Sequence, residues 1–520
     1  MAVVDSSIRF PLSLPGAGLA AKILGGRLHF IVKVYLILVL LPFAYPAGPL
    51  VMTGVRTLLI LMILPMMGRL MAGKCGKIWP TDYLFMAHLF WILVTLAVNN
   101  PTQVVQNFGS TGMEFLGGYL LGRNFIRSKE NMIGLFRFAV FLVICSLPLA
   151  IYETLTGRPL IIWLWRYIPG ITGSFKASSL PRMGLERVQM GFTTPIHYGV
   201  YATMAFSVCY VGLKNIYSGT RRMVSTAIVA VCIFLSLSSG ALLPMLLQMF
   251  LIGWNRAFCK SANRWMLLLG FFAFCYVFVD VLSNRTPYRV FMTYATFSPG
   301  TAYWRAAINE FGMNNVYAHP IFGIGLNNWV RPAWMHSNSV DNFWLLMAMR
   351  HGVPGFVLVA SGYGYALWKI MRKDLGNDPV LLNLRLAWVF TFASLAFTLT
   401  TVHIWTEIYS YVFFSIGAGM WMLSVSPEDA DKTGAEVVPV ARGGTILRSA
   451  PRQVQPAERQ QAPERAAAPV RSLIDAEAGT IARRAAQAEQ TAPGSLPDAP
   501  REAARDTLYT RFPPKSRDPA

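Results

Sequence analysis

Charged residues are scarce in this chain. Only 14% of its 520 residues are Asp, Glu, Lys or Arg, whereas 54% are hydrophobic, and the mean hydropathy is +0.43. A soluble domain is about a quarter charged, so the composition argues against a soluble protein. Long apolar runs recur instead, among them "WMLLLGFFAFCYVFVDVL" and "AWVFTFASLAFTLTTV". About 20 apolar residues cross a bilayer as a helix, and the sequence therefore predicts an integral membrane protein.

The chain also lacks a pattern of cysteines or metal ligands. Its six cysteines lie in predicted spans or short loops, outside the two long loops described below, which argues against a disulfide framework. They are Cys75, Cys145, Cys209, Cys232, Cys259 and Cys275. Before the C-terminal tail there is no D-x-D and no H-x-x-x-H motif, and His319, His336 and Asp341 are not at a recognisable ligand spacing. We expect no metal site and no cofactor.

Acidic residues are fewer than basic ones, 25 against 46, which gives a formal net charge of +21. The tail from Pro427 onward is nearly neutral, with 14 Lys and Arg and 13 Asp and Glu. The excess lies in the preceding part, with 32 basic and 12 acidic residues. Basic loops on the cytoplasmic side and an anionic ligand outside explain this bias, so we expect no nucleic-acid partner.

The apolar runs predict an all-α polytopic protein with about twelve transmembrane helices. Short loops with several Lys or Arg alternate with loops that carry none, which is the positive-inside pattern and places both termini in the cytoplasm. The predicted spans are residues 29–47, 50–67, 81–98, 110–126, 131–152, 192–213, 223–238, 239–254, 265–282, 342–368, 385–402 and 405–424.

Three predicted regions accompany the spans. Residues 1–28 form a cytoplasmic N-terminal segment, and residues 425–520, rich in Ala, Pro, Arg, Gln and Glu, form a disordered cytoplasmic tail. Within the membrane domain, residues 29–424, two outer loops are long, 153–191 and 283–341. Long loops in compact domains are usually functional or disordered, and these two are too aromatic to look disordered.

Arginines on the outer side run against the positive-inside bias and therefore need another explanation. Arg182 and Arg187 lie in the first long loop, Arg305 and Arg331 lie in the second, and Arg350 lies near the outer end of a predicted span. Guanidinium groups bind phosphate and diphosphate through paired hydrogen bonds. An ionised side chain within a span is a functional candidate by default.

The junction "RPAWMHSNSVDNFWL" combines a histidine and an acid where the second loop meets a span. Asp341 there is a candidate for proton transfer, and the alternative is that it caps the following helix. His336 is the second candidate base. Upstream, "TAYWRAAINEFG" predicts a short amphipathic helix with Tyr303, which we expect to end at Gly312.

Several motifs together resemble the O-antigen ligase and Wzy-type polysaccharide polymerase superfamily. Arg305 precedes "PIFGIG", "DNFWLLMAMRHGVPGF" begins with Asp341 and Asn342, and "RMGLERVQMGFTTP" contains Arg182 and Arg187. The segment "SLSSGALL", residues 236–243, resembles the small-residue region of the family in mid-chain. The resemblance covers most of residues 30–424. It implies a GT-C-like membrane glycosyltransferase in the bacterial inner membrane, with the active site on the outer, periplasmic face.

The resemblance also implies a reaction and roles for residues. The donor is a glycan on undecaprenyl diphosphate, the leaving diphosphate is stabilised by Arg187 and Arg305 without a metal, and Asp341 or His336 handles the acceptor proton. Relatives carry His where this chain has Asp341, and the Ser-Val-Asp-Asn sequence resembles exopolysaccharide polymerases. The expected substrate-binding residues are Arg182, Arg331, Arg350, Asn342, Trp304 and Trp329.

Two alternatives stay open at this stage. One is a ligase that transfers a finished glycan to a lipid acceptor, and the other is a flippase or exporter. Transporters tend to show internal repeats and midplane charge, and neither is evident here. The expected partners are the undecaprenyl-diphosphate-linked glycan, membrane lipid and, for the tail, a chain-length regulator or another export protein.

Overall fold

A computed structural model describes residues 28–426, except for residues 49, 175, 178–180, 262, 285 and 295–298. All of them belong to the unit Met1–Val440. The predicted cytoplasmic N-terminal segment before Leu28 and the predicted disordered tail from Pro427 onward lie outside the described residues.

The described residues are mostly helical. The α-helices are α1 (Phe30–Leu40), α2 (Gly54–Met71), α3 (Pro80–Asn99), α4 (Val104–Gly112), α5 (Gly118–Phe125), α6 (Lys129–Thr156), α7 (Leu160–Arg166), α8 (Pro195–Thr203), α9 (Gly219–Leu235), α10 (Ser239–Ala257), α11 (Arg264–Leu282), α12 (Pro287–Tyr294), α13 (Pro299–Ala318), α14 (Phe343–Arg372), α15 (Pro379–Thr398) and α16 (Thr406–Gly419). Two π-helical turns, Met113–Gly117 and Val208–Gly212, and two 3-10 helices, Pro101–Gln103 and Met420–Ser424, accompany them.

Six described helices are long and apolar enough to cross a membrane by length and composition. They are α2, α3, α6, α11, α14 and α15. Helix α1 is apolar but has only 11 residues. Each of the twelve predicted spans overlaps at least one helix, yet the number of spans stays a prediction. The apolar helices agree with the expectation of a membrane protein.

The prediction of an all-α fold is confirmed in its coarse form, because the described residues are mostly helical, but it did not include one short β-hairpin. Strand β1 (Ala44–Ala47) pairs antiparallel with β2 (Leu50–Thr53), where two adjoining spans had been predicted. Pro42 disfavours helical geometry at the preceding residue, and α1 ends at Leu40. Ala44 also exchanges two backbone hydrogen bonds with Thr172, so the first long loop, residues 153–191, is attached to this hairpin.

Glycines allow two helices in the core to approach closely. Gly118 and Gly122 lie one turn apart on α5, and a Cβ atom at either position would collide with backbone atoms of α16. The reverse holds for Gly417 of α16, which faces the Tyr119 carbonyl of α5. Small residues spaced by four let helix backbones meet directly, which is how membrane helices commonly associate.

Arg56, in the first turn of the candidate span α2, has a structural partner. Its guanidinium forms an ion pair with Glu114 at 2.8 Å and also donates a hydrogen bond to the Val51 carbonyl. Glu114 is supplied by the π-helical turn Met113–Gly117. Because a charge inside a span needs a partner, this contact accounts for Arg56.

Candidate functional site

The turn after α13 enters a break in α14. Gly352 has φ 68° and ψ 178°, which no helix can accommodate, so α14 consists of two helical parts that meet there. Around the break, the Ile324 amide donates to the Met349 carbonyl at 2.8 Å and the Gly325 amide donates to the Arg350 carbonyl at 3.0 Å. Backbone groups that the break removes from the helix are therefore satisfied by the turn.

Glycine is required at the positions where the turn and the break touch. Gly323 and Gly325 have positive φ angles of 64° and 62°. A Cβ atom at Gly323 would collide with the backbone of Met349 and Arg350, and one at Gly352 would overlap the Ile321 carbonyl. The glycines thus permit a backbone-to-backbone contact as well as the turn itself.

Residues at the C-terminal end of α3 also hold the glycine turn, on the side away from α14. The Asn100 side chain, just after α3, accepts a hydrogen bond from the Leu326 amide at 2.8 Å and donates one to the Asn327 side chain at 3.1 Å. Asn99 donates to the Phe322 carbonyl at 3.2 Å. The turn is consequently fixed between α3 and α14, and α13 leads into it in one orientation.

Arg305 lies on the buried face of α13. Its side chain is 7% exposed, and it shares this face with Ile308 and Gly312. The expectation that the helix ends at Gly312 was wrong, since α13 continues to Ala318. Gly312 lies instead against the Leu345 side chain of α14, where a larger residue would collide. Close packing at Gly312 holds the face of α13 that carries Arg305 against the rest of the protein.

Arg182 and Arg187 both reach the small-residue segment 236–243. Arg182 donates to the Leu237 carbonyl at 2.8 Å, and Arg187 donates to the Ser236 carbonyl at 3.5 Å. The Val188 amide bonds to the Leu235 carbonyl at 3.1 Å, which docks this part of the first loop onto the C-terminal end of α9. Carbonyls at a helix C-terminus carry partial negative charge and attract cations.

Burial makes these two arginines unusual cations. Loss of water lowers the pKa of Arg182 below its ordinary value. It lowers the pKa of Arg187 to about 10, with the neighbouring charge of Arg182 as the smaller cause. Both side chains remain charged at neutral pH, but they are partly dehydrated and therefore prepared to bind an anion.

The segment between α15 and α16 joins these regions. Phe343, the first residue of α14, donates its amide to the carbonyls of Leu399 and Val402 at 2.9 and 3.2 Å. Val402 also lies against Gly240 of the small-residue segment. The start of α14, residues 399–405 and residues 236–240 therefore form one connected surface next to Arg182 and Arg187.

His403 occupies the centre of this connection, and the sequence analysis did not identify it. Its ring stacks near Phe343 at a centroid distance of 6.3 Å, and its carbonyl lies 3.4 Å from Nε2 of His197. Its Nδ1 is buried and has no hydrogen-bond partner among the described residues. Burial, with smaller effects of Arg350 and His197, lowers its pKa to about 3, so the ring is neutral.

Asp341 and Asn342 have distinct roles at the start of α14. The predicted alternative of an Asp341 cap was wrong, because the Asn342 side chain accepts the hydrogen bond from the Leu345 amide at 3.0 Å. The Asp341 carboxylate accepts a hydrogen bond from the Ser339 hydroxyl at 3.0 Å and is half-buried. Asp341 therefore lies just before the positive N-terminal end of α14, but its carboxylate does not cap the helix.

The other candidates in the second loop are arranged around the loop itself. Arg331 donates to the Met335 carbonyl at 2.9 Å and to the Asn328 side chain at 2.6 Å. Trp329 is 6% exposed and donates its indole N–H to the Asn338 carbonyl at 3.1 Å. These hydrogen bonds give Arg331 and Trp329 a structural role within the loop. His336 is exposed and lines a shallow depression with them.

The family comparison falls on these same elements. Residues 224–360 match the family model of the O-antigen ligase domain, Wzy_C. Residues 224–360 are therefore similar to the O-antigen ligase domain. A comparison with curated proteins finds none that matches the chain.

The O-antigen ligase domain covers much of the site and leaves part of it outside. It contains the small-residue segment, Arg305, the glycine turn and the break in α14. Arg182, Arg187 and His403 lie beyond its limits. The family consists of glycosyltransferase-like enzymes, so the matched segment and these flanking side chains together form the candidate active site.

Three candidate site residues were found or missed for clear reasons. Arg187 stood out as an external cation in a motif. His403 could have been noticed only as a lone histidine between two predicted spans, and Asn100 only as a polar residue in an uncharged outer loop. Among the described residues, no group of three or more His, Cys, Asp or Glu side chains could hold a metal ion.

Proposed function

We propose that the protein polymerises glycan repeat units carried on undecaprenyl diphosphate, at the outer face of the bacterial inner membrane. The bond between the anomeric carbon and the diphosphate oxygen breaks, and the diphosphate leaves with the electron pair. A hydroxyl of the acceptor sugar forms the new bond to that carbon and loses its proton to a base. The lipid diphosphate is the second product.

The observation that carries this proposal is the partly dehydrated Arg187 beside Arg182. Their guanidinium groups donate to carbonyl oxygens of the small-residue segment, which lies within the matched residues. A departing diphosphate develops negative charge, and preorganised cations stabilise it most effectively where water is limited. In the proposal, Arg305 contributes a further cation from the buried face of α13.

The acceptor side is assigned to the start of α14. Asp341 is half-buried there and bonded to Ser339, whereas His336 is exposed on the loop. We assign proton acceptance to Asp341 and treat His336 as the second candidate. Asn342, which caps α14, orients this region, and Arg350 lies at the break of the same helix.

The donor lipid requires an apolar surface near these groups. Helix α11 is strongly apolar, and Leu268 is the one residue along it that is buried. Most of the other residues of α11 are exposed, and we assign the isoprenoid tail to the apolar surface between spans. Both termini are cytoplasmic in this proposal, and the tail from Pro427 contacts a chain-length regulator or another export protein.

The proposal is tested by the lipid-linked intermediates of a strain that lacks this gene. A polymerase mutant accumulates single repeat units on the lipid carrier. Accumulation of long, lipid-linked polymer would assign ligase activity instead. Repeat units trapped on the cytoplasmic side of the membrane would assign a flippase, and any of these results is read by mass spectrometry of extracted lipids.

A further inference from the structure

A half-open cleft lies on the side of α13 away from Arg305. Its volume is about 560 Å³, in the range of binding sites for small ligands. Helix α12, helix α13 and the loop that follows the glycine turn enclose it. The lining residues are Arg289, Thr293, Ala302, Tyr303, Ala306, Ala307, Glu310, Phe311 and Trp334. We call it the aromatic cleft.

Exposed aromatic rings form one wall of the aromatic cleft. Trp334 lies over α13, with ring centroids 5.9 Å from Tyr303, 5.7 Å from Trp304 and 6.0 Å from Phe311. Tyr303 is 61% exposed and Trp334 is 43% exposed. Rings of Tyr and Trp that are held rigidly and left open offer flat, amphipathic surfaces, with an apolar face and a polar edge.

An ion pair lies beside these rings. The Arg289 guanidinium is 2.8 Å from the Glu310 carboxylate, and their side chains are 57% and 54% exposed. Charged side chains with this much exposed surface cannot face hydrocarbon without a large energetic cost. The cleft therefore faces water or lipid headgroups. Its surface therefore combines aromatic faces with strong hydrogen-bonding groups, which suits a ligand that has both C–H faces and hydroxyl groups.

The aromatic cleft and Arg305 are separated by a single helix. Tyr303, Ala307 and Glu310 line the cleft, whereas Arg305, Ile308 and Gly312 lie on the opposite, buried face of α13. An α-helix with its side chains is about 10 Å across. A ligand in the cleft is consequently within the length of a few sugar units of Arg305.

We propose that the aromatic cleft binds an oligosaccharide, namely the sugars of the growing glycan that lie beyond the reacting unit. Tyr303 and Trp334 stack on pyranose faces, and Arg289 with Glu310 bonds their hydroxyl groups. The proposal rests on the proposed function for the identity of the glycan. Binding here keeps the chain attached between transfers, so the cleft controls product length rather than the transfer step.

The first test is a binding measurement that needs no catalysis. Oligosaccharides released by mild hydrolysis from the host's own surface polysaccharide are titrated into the full-length protein in nanodiscs by calorimetry. We expect saturable binding that weakens at least tenfold in Trp334→Ala and Tyr303→Ala and is largely retained in Trp334→Phe. Tyr317→Ala is the matched control, because Tyr317 is 73% exposed on the same helix outside the cleft.

The second test is the length distribution of polymer. Trp334→Ala should shorten the chains, whereas the control Tyr317→Ala should leave their length distribution close to that of the wild type. Unchanged oligosaccharide binding in Trp334→Ala and Tyr303→Ala, or no binding by the wild type, overturns the cleft proposal even if polymer is made. Saturable binding that depends on Trp334 in a protein that makes no polymer upholds the cleft and rejects the proposed function.

A third measurement separates glycan from lipid as the occupant. Nanodiscs with brominated acyl chains quench tryptophans that lie in hydrocarbon, and Trp334→Phe identifies the contribution of Trp334. We expect no difference in quenching between the wild type and Trp334→Phe. A quenched Trp334 would place hydrocarbon in the cleft and contradict the proposal.

Discussion

The amide of Ile324 donates a hydrogen bond to the carbonyl of Met349 at 2.8 Å. This contact joins the glycine turn to the interior of a helix that Gly352 interrupts. Because the turn directly follows α13, the same contact fixes the helix that carries Arg305. The glycines of the family motif therefore position an arginine rather than take part in chemistry.

Gly352→Ala should destabilise the protein strongly. The added Cβ atom would overlap the Ile321 carbonyl, and Gly352 has a positive φ angle. We expect a loss of at least about 3 kcal/mol in unfolding free energy, from strain and displacement of the turn. Gly364→Ala is the control, because Gly364 lies in the same helix with open space around it. Thermal unfolding in detergent should show a large drop only for Gly352→Ala.

Arg187→Gln should abolish polymer formation without lowering stability at pH 7.5. Burial lowers the pKa of Arg187 to about 10, well below the ordinary value of an arginine. Between these two values the unfolded state binds more protons, so stability rises with pH through that window. Below pH 10 the buried charge is therefore a destabilising feature, and its removal should leave the melting temperature equal or higher.

The activity of Arg187→Gln should fall by about 10²–10³-fold, the usual loss when a preorganised charge stabiliser is removed. Arg158→Gln is the control, since Arg158 is an exposed residue of the same loop that lies over the Trp163 ring at 5.5 Å. A clear drop in melting temperature for Arg187→Gln would show that the residue holds the fold instead.

His403 should make the protein sensitive to acid. Its pKa is about 3 in the folded protein, against an ordinary value of 6.5, because the ring is buried. The unfolded state thus binds more protons between these values, and stability is lost as pH falls from 6.5 towards 3. The drop in melting temperature between pH 7.5 and pH 5 should be smaller in His403→Gln than in the wild type. An equal drop in both proteins would place His403 in contact with water.

Asp341→Asn and Asn342→Ala should separate chemistry from structure. Asn342 caps α14, so Asn342→Ala should cost about 1 kcal/mol of stability. Asp341→Asn keeps the size and the contact with Ser339, and should lower the transfer rate with little effect on stability. Full activity in Asp341→Asn would remove Asp341 from proton transfer and leave His336 to be tested in the same way.

The sequence was most informative where a pattern has a direct physical meaning. Apolar runs predicted helices, and the "PIFGIG" segment that the resemblance singled out forms a turn in which Gly323 and Gly325 have positive φ angles. External arginines were identified because they oppose the charge bias of the loops. In each case the property belongs to a single segment, so no knowledge of distant contacts was needed.

The sequence did not predict features that depend on contacts between residues far apart in the chain. Glycine is common at helix ends, and Gly312 was therefore expected to end α13. Instead it packs against Leu345, and the helix continues past it. Asp341 and Asn342 are both good caps, and backbone geometry selects Asn342. His403 becomes notable only through Phe343, His197 and the segment 399–405, which are far apart in the sequence. Such pairings cannot be read from local pattern.

The most direct test is polymerisation by the purified protein with lipid-linked repeat units, in buffer that contains a chelator. The account predicts a ladder of lipid-linked products from the wild type, and no ladder from Arg187→Gln or Arg305→Gln at equal amounts of folded protein. A wild-type ladder from either variant would contradict the assignment of these arginines to the lipid diphosphate.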